Sequence, residues 1–178
     1  MVGLATGAMA ADRPVVVDYQ ESRIKTDVKA AVGSFVGYLA RYDVTVGFDG
    51  AAPQVTSAAL AFRFTDMKTG EDKRDKNLHD WQETEKFPDG RFKLSEGGAG
   101  PAGGYVATGS LTFHGVTQPV QFPVQVTTEG EVIIIDGEVV IDTQKFGLPI
   151  IRLFFALKVN PEVTVFFHLQ GRLGSAGA

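Results

Sequence analysis

The chain has 178 residues, a formal net charge of −4 and no cysteine. That is enough for one domain with a sizeable core, and it excludes a disulfide framework, thiolate catalysis and Cys-ligated zinc. No basic block is present, so no nucleic acid partner is expected, and thirteen phenylalanines against one tryptophan and four tyrosines point to a large, dry interior.

The chain begins with the small, apolar stretch "MVGLATGAMA". Within it Ala8-Met9-Ala10 has the A-x-A form of a signal-peptidase site. Residues 1–12 therefore read as the tail of an export signal or a disordered N-terminus. Residues 13–174 read as one β domain, and 175–178 as a flexible end. The expected location is the periplasm, where a chain without cysteine meets no oxidative hazard.

Period-2 alternation, the mark of a strand with one buried face, follows from Val15 onward. "YDVTVGFD" sets Val44, Val46 and Phe48 on one face. "ALAFRFTD" sets Leu60, Phe62 and Phe64 against Ala61, Arg63 and Thr65. "TGEDKRDKNLHDW" predicts one short helix, opened by Thr69 with Asp72 three residues on, a capping-box pattern. Leu78 and Trp81 share a face of it that can pack inward. The glycine-rich "EGGAGPAGG" (96–104) predicts a mobile link between strands.

In "SLTFHGVTQPVQFPVQVTTEG", Leu111 and Phe113 alternate with Ser110, Thr112 and His114. After Gly115, Val120, Phe122, Val124 and Val126 continue the pattern. Pro123 predicts an edge, a bulge or a strand end. In "EVTVFFHLQGRL", Val163, Val165, Phe167 and Leu169 share a face. About eight such strands and one helix predict an all-β fold, a single antiparallel eight-stranded barrel whose walls leave no free edge.

Three candidates for chemistry stand out, each beside a plainer reading. Ser110 and His114 share a strand face, yet an extended strand sets them about 13 Å apart. No G-x-S-x-G elbow accompanies them, so His114 reads as a turn residue. Asp75, His79 and Glu83 have i, i+4, i+8 spacing and would share one face of a long helix as a metal set. The plainer reading is a solvated face, and no metal is expected. Arg74 is a candidate headgroup contact, or a structural bridge from the helix. His168, set between Phe167 and Leu169, reads as a packing or outward-facing residue.

Several motifs in order resemble the YceI family of bacterial polyisoprenoid-binding proteins, which have a lipocalin-like barrel. "VGSFVGYLARYDVTVGFD" resembles its early strand pair, with Phe35 and Gly37. "TGEDKRDKNLHDWQETEKFPDGRFKL" resembles its T-G-x-x-x-R-D-x-x-L signature through Thr69, Gly70, Arg74, Asp75 and Leu78, continued by Lys86, Phe87, Pro88 and Phe92. "GSLTFHGVTQPVQFPV" resembles G-x-L-T-x-H-G-V-T-x-P-V. "KFGL" and "VNPEVTVFFHLQG" resemble the closing part.

The resemblance implies a non-catalytic protein that binds, and carries or stores, a long-chain amphiphile such as an isoprenoid quinone or prenyl lipid. It implies no cofactor beyond that ligand. The expected barrel lining is Phe35, Phe62, Phe64, Trp81, Leu111, Phe113, Phe122, Val124, Val165 and Phe167. The alternatives are a lipid-modifying enzyme using His114 or Asp75, and an interaction subunit with a solid core.

The most apolar run, "FGLPIIRLFFAL" (146–157), is too short to cross a bilayer and is interrupted by Arg152. Ile150, Leu153, Phe154 and Phe155 are expected at an entrance to the barrel. A membrane-surface contact, a homodimer interface, or a buried strand and loop are the competing readings for this run.

Overall fold

The computed structural model describes residues 12–30, 33–50, 54–100, 104–153 and 157–175. The expected export signal therefore lies almost wholly outside the described residues. In chain order the strands are β1 (Asp12–Val17), β2 (Arg23–Ala30), β3 (Ser34–Leu39), β4 (Asp43–Asp49), β5 (Gln54–Arg63) and β6 (Met67–Lys68). Helix α1 (Asp72–Trp81) follows. Then come β7 (Asp89–Ala99), β8 (Tyr105–Phe113), β9 (Val116–Glu129), β10 (Val132–Asp142), β11 (Arg152–Leu153) and β12 (Leu157–Leu173).

Hydrogen-bonded neighbours run β1-β4-β5-β7-β8-β9-β10-β12, and β12 returns to β1 through Val15↔Leu173 and Val17↔Gly171. Eight antiparallel strands thus close into a barrel. The first three are each broken once. β2, β3 and β6 continue β1, β4 and β5 at the other end, with β2 along β12, β3 on β2 and β6 on β3.

The breaks keep their backbone groups paired, as burial requires. At the first, the Asp18 amide donates to the Gln170 carbonyl (2.8 Å) and Ser22 Oγ exchanges bonds with the Gln170 backbone. At the third, a 3-10 turn spans Phe64–Asp66, and the Asp66 carbonyl accepts from the Ala40 amide.

The alternating residues face as the period-2 reading requires. Along β9, Val120, Phe122, Val124 and Val126 are buried or half-buried, whereas Gln121, Pro123 and Gln125 are exposed. Pro123 pairs with Val106 of β8, but the ladder to β10 begins only at Val124. The proline sits where one flank of its strand needs no amide donor.

The 96–104 link differs from expectation. β7 continues through Ala99, and residues 101–103 lie outside the described residues. Glycine persists there because the ring of Tyr105 occupies the space a Cβ on Gly97 would fill.

The helix also begins differently. Its N-cap is Glu71, with no side-chain capping bond. Thr69 does not cap it, because its hydroxyl and amide both donate to Asp75 Oδ1, at 2.6 and 2.7 Å. The start rests instead on the carboxylates Asp72 and Asp75 in the first turn, at the positive end of the helix dipole.

Candidate ligand cavity

An apolar cavity of about 260 Å³ runs inside the barrel. Its size exceeds the ~150 Å³ apolar voids that stay dry and admit benzene, and approaches the ~300 Å³ lower edge of small-molecule sites. All ten residues expected to line the barrel do so, from Phe35 on β3 to Phe167 on β12. Leu78 and Trp81 bring α1 over one end of it, and Trp81 Nε1 donates to the Pro149 carbonyl (2.8 Å), tying helix to the 146–151 segment.

The phenylalanines pack along the walls. Phe122 lies between Phe92 (5.6 Å) and Phe167 (5.7 Å), and Phe64 between Phe62 (5.2 Å) and Phe113 (5.8 Å). Phe113 stacks on Phe146 at 3.9 Å. The far ends of two rings lie over glycines directly opposite on the next strand, Phe62 over Gly90 and Phe167 over Gly137. The missing Cβ lets each ring fold against the wall, so space remains along the axis.

Two of the described lining residues, Pro149 and Asn160, are exposed, whereas the others are buried or half-buried. Ile150 lines the cavity, joined by Ile151. Phe146 and Leu148, earlier in the same run, are buried core residues. Of the other entrance expectations, Phe154 and Phe155 lie outside the described residues. Leu153 is placed only as backbone, in β11 against Leu157.

Several lining residues were not anticipated. Ile24, Thr26 and Val28 come from β2, where "RIKTDVKA" alternates plainly and the signal was available. Ile135, Val139 and Ile141 come from β10, whose "VIII" and "VVI" runs hide which face is inward. Gln82 also lines the cavity and is 0% exposed. No sequence pattern marks a glutamine after a helix as interior.

The candidates for chemistry lie elsewhere. The helix stops at Trp81, and Glu83 takes a left-handed φ of 51°, so Asp75, His79 and Glu83 do not share a face. His79 Nε2 lies 3.3 Å from the Met67 carbonyl and Asp75 holds Thr69. Among the described residues no three His, Asp or Glu side chains converge as a metal set.

Strand β8 ends at Phe113, so Ser110 and His114 do not share a strand face. His114 and Gly115 form the two-residue turn between β8 and β9, both with positive φ (50° and 71°), the type I′ pattern. His114 Nδ1 meets the Phe146 carbonyl (2.8 Å) and Nε2 meets Glu83 Oε2 (3.1 Å), latching three loops together. His168 Nδ1 faces Asp136 Oδ1 across the β10–β12 ladder at 2.7 Å.

Arg74 donates to the Thr69 carbonyl (3.0 Å), pairs with Glu71 (3.1 Å) and lies 4.9 Å over the Phe35 ring. It supports a lining residue without lining the cavity itself.

Burial alone pushes the Asp75 carboxyl up. The two hydrogen bonds from Thr69, with Lys68 and His79 nearby, outweigh it and hold the group below the usual carboxylate range. Burial pushes the Tyr105 phenol up, and its hydroxyl donates to the Val55 carbonyl (2.7 Å).

A closed meander barrel around an apolar cavity, capped by a single helix, is the architecture of a small-ligand binding protein. The model of the YceI-like domain matches residues 16–171, and the chain belongs to that family.

The chain is 29% identical over 126 residues to a UPF0312 protein of Pseudomonas fluorescens (strain SBW25), covering 69% of this chain and 66% of the relative. It is 28% identical over 130 residues to a UPF0312 protein of Photorhabdus laumondii, covering 71% and 67%. The chain thus spans about two thirds of the length of these relatives.

Among solved structures, Burkholderia cenocepacia BcnA superposes with a TM-score of 0.77 at 24% identity, covering 87% of this chain and 99% of that one. A polyisoprenoid binding domain from Saccharophagus degradans, implicated in plant cell wall breakdown, superposes with a TM-score of 0.63 at 16% identity, covering 92% and 99%. Both likenesses are of fold.

Proposed function

We propose that this protein binds a long-chain amphiphile of the polyisoprenoid type inside the barrel and carries or stores it without chemical change. The observation that carries this reading is the cavity, whose described lining is almost wholly apolar. Each buried methylene contributes about 0.8 kcal/mol, against association costs of about 4–15 kcal/mol. A long tail is therefore the ligand that such walls can hold.

The non-catalytic reading is supported by where His114 and Asp75 sit. Neither lines the cavity: His114 is held by Phe146 and Glu83, and Asp75 by Thr69. The polyisoprenoid-binding description of the Saccharophagus degradans domain, which shares the fold, supports the ligand class.

Solvent extraction of the purified protein, followed by lipid mass spectrometry, tests the proposal. A stoichiometric long-chain amphiphile is the expected result. Protein that carries none, and takes up none when offered, removes the reading. Export rests on the Ala8-Met9-Ala10 pattern, and a mature chain beginning at Ala11 in the periplasmic fraction is its expected signature.

A further inference from the structure

Gln82 is the anomaly of the cavity. It is 0% exposed, it lines an otherwise apolar space, and neither Oε1 nor Nε2 has a hydrogen-bond partner among the described residues. A buried amide left unpaired at both ends is costly, so such groups are retained where something meets them.

The other polar groups of the lining are spoken for. Thr69 Oγ1 donates to Asp75, Thr143 Oγ1 to the Pro161 carbonyl, and Tyr105 Oη to the Val55 carbonyl. Asn160 Oδ1 accepts from the Glu162 amide. No Asp, Glu, Lys, Arg or His is among the described lining residues.

We propose that Gln82 is the head-group site of the cavity, and that the head it selects is uncharged and both donates and accepts a hydrogen bond, as a hydroxyl does. The inference rests on the amphiphile-binding reading and adds the chemistry of the polar end. A ligand hydroxyl accepts from Nε2–H and donates to Oε1, pairing both orphaned groups at once. An ether or a quinone carbonyl can only accept and leaves Oε1 unpaired. A phosphate brings charge into a lining with no countercharge among the described residues, which burial penalises.

The placement also orients the ligand. Gln82 follows Trp81, whose indole donates to the carbonyl of Pro149, an exposed residue of the lining. The head therefore stops beneath the end of α1, and the tail runs inward toward Val55, Val124 and Ile135, in the apolar cluster at the barrel's centre.

The test uses the full-length protein and three probes of one chain length: geranylgeraniol, its methyl ether and geranylgeranyl diphosphate, competed in pairs and read by native mass spectrometry. The wild type is expected to prefer the alcohol to the ether by about tenfold, or 1.4 kcal/mol, and to bind the diphosphate no more tightly than the alcohol. In Gln82→Leu the alcohol–ether preference is expected to fall to near unity while the ether still binds.

Equal uptake of alcohol and ether by the wild type overturns the inference but leaves barrel binding intact. So does a diphosphate preferred over the alcohol, or a preference that survives Gln82→Leu. Uptake of no probe by the wild type removes both the barrel reading and this inference. If the variant does not fold, the wild-type series alone decides.

Discussion

Asp75 shows how a single side chain can look functional in sequence and prove structural in three dimensions. Its carboxylate sits within the helix yet reaches back to Thr69 at the end of the third strand run, joining α1 to the barrel wall through two bonds to one oxygen. Replacing it with alanine should cost about 1.5–3 kcal/mol at neutral pH, the usual worth of hydrogen bonds to a charged group. The pH dependence has a definite sign. The folded carboxyl lies below its ordinary value, so the unfolded chain binds more protons in the window between the two. The contribution is complete above about pH 4 and fades as pH falls through the lowered folded value. Urea unfolding of wild type and Asp75→Ala should show a gap at pH 7 that narrows toward pH 3. A gap independent of pH would contradict the charged hydrogen bond. His114 makes the same point: the histidine between Phe113 and Gly115 is a turn residue holding Phe146 and Glu83. Their place beside it depends on contacts 31 and 32 residues away.

At the scale of elements, the barrel solves a spatial problem set by its own composition. Thirteen phenylalanines could plug so narrow a tube. Pairing an aromatic with a glycine directly across the ladder, as in Phe167↔Gly137 and Phe62↔Gly90, lets each ring lie on the wall. A Cβ added at Gly137 would come within 2.4 Å of Phe167 Cζ, so the ring must swing toward the axis. Gly137→Ala is accordingly expected to lose about 1–3 kcal/mol of stability, the cost of overpacking, and to reduce uptake of a long-chain probe. Unfolding and binding measured together check both, and unchanged uptake would show that Phe167 does not limit the space. These glycines stand out in the sequence, but their aromatic partners do not. Strand alternation reports a face, and cross-strand register is set only when the turns and breaks between strands are built. Helix α1 illustrates the limit from the other side. The Leu78–Trp81 stripe is legible, but its start is not, because Thr69 spends its hydroxyl on Asp75 rather than on capping.

For the molecule as a whole, closure creates the cavity, and the segment after β10 adds Ile150 and Ile151 to its lining. The chain leaves the wall at Asp142, where β10 ends, and of the described lining residues Pro149 and Asn160 are exposed. If this segment borders the ligand's path, Ile150→Ser combined with Ile151→Ser should slow uptake of a fluorescent long-chain probe several-fold. The change in folding stability should be small, since both residues are already half-exposed. Uptake at the wild-type rate would place the path elsewhere.

Period-2 alternation from β4 to β12 was enough, by itself, to determine a closed all-β barrel with an oily interior, since a strand with one apolar face must bury it. The faces of Leu111, Phe122, Val165 and Phe167 were legible for that reason, and so was the inward turn of Trp81. Tertiary structure alone decided that the first three strands break and continue, and that Arg74 braces Phe35 from outside the lining. It alone placed Gln82 in the lining with no partner among the described residues. Each of these depends on which distant groups meet after the barrel shuts, and a local pattern carries no information about partners that only closure brings within hydrogen-bonding reach.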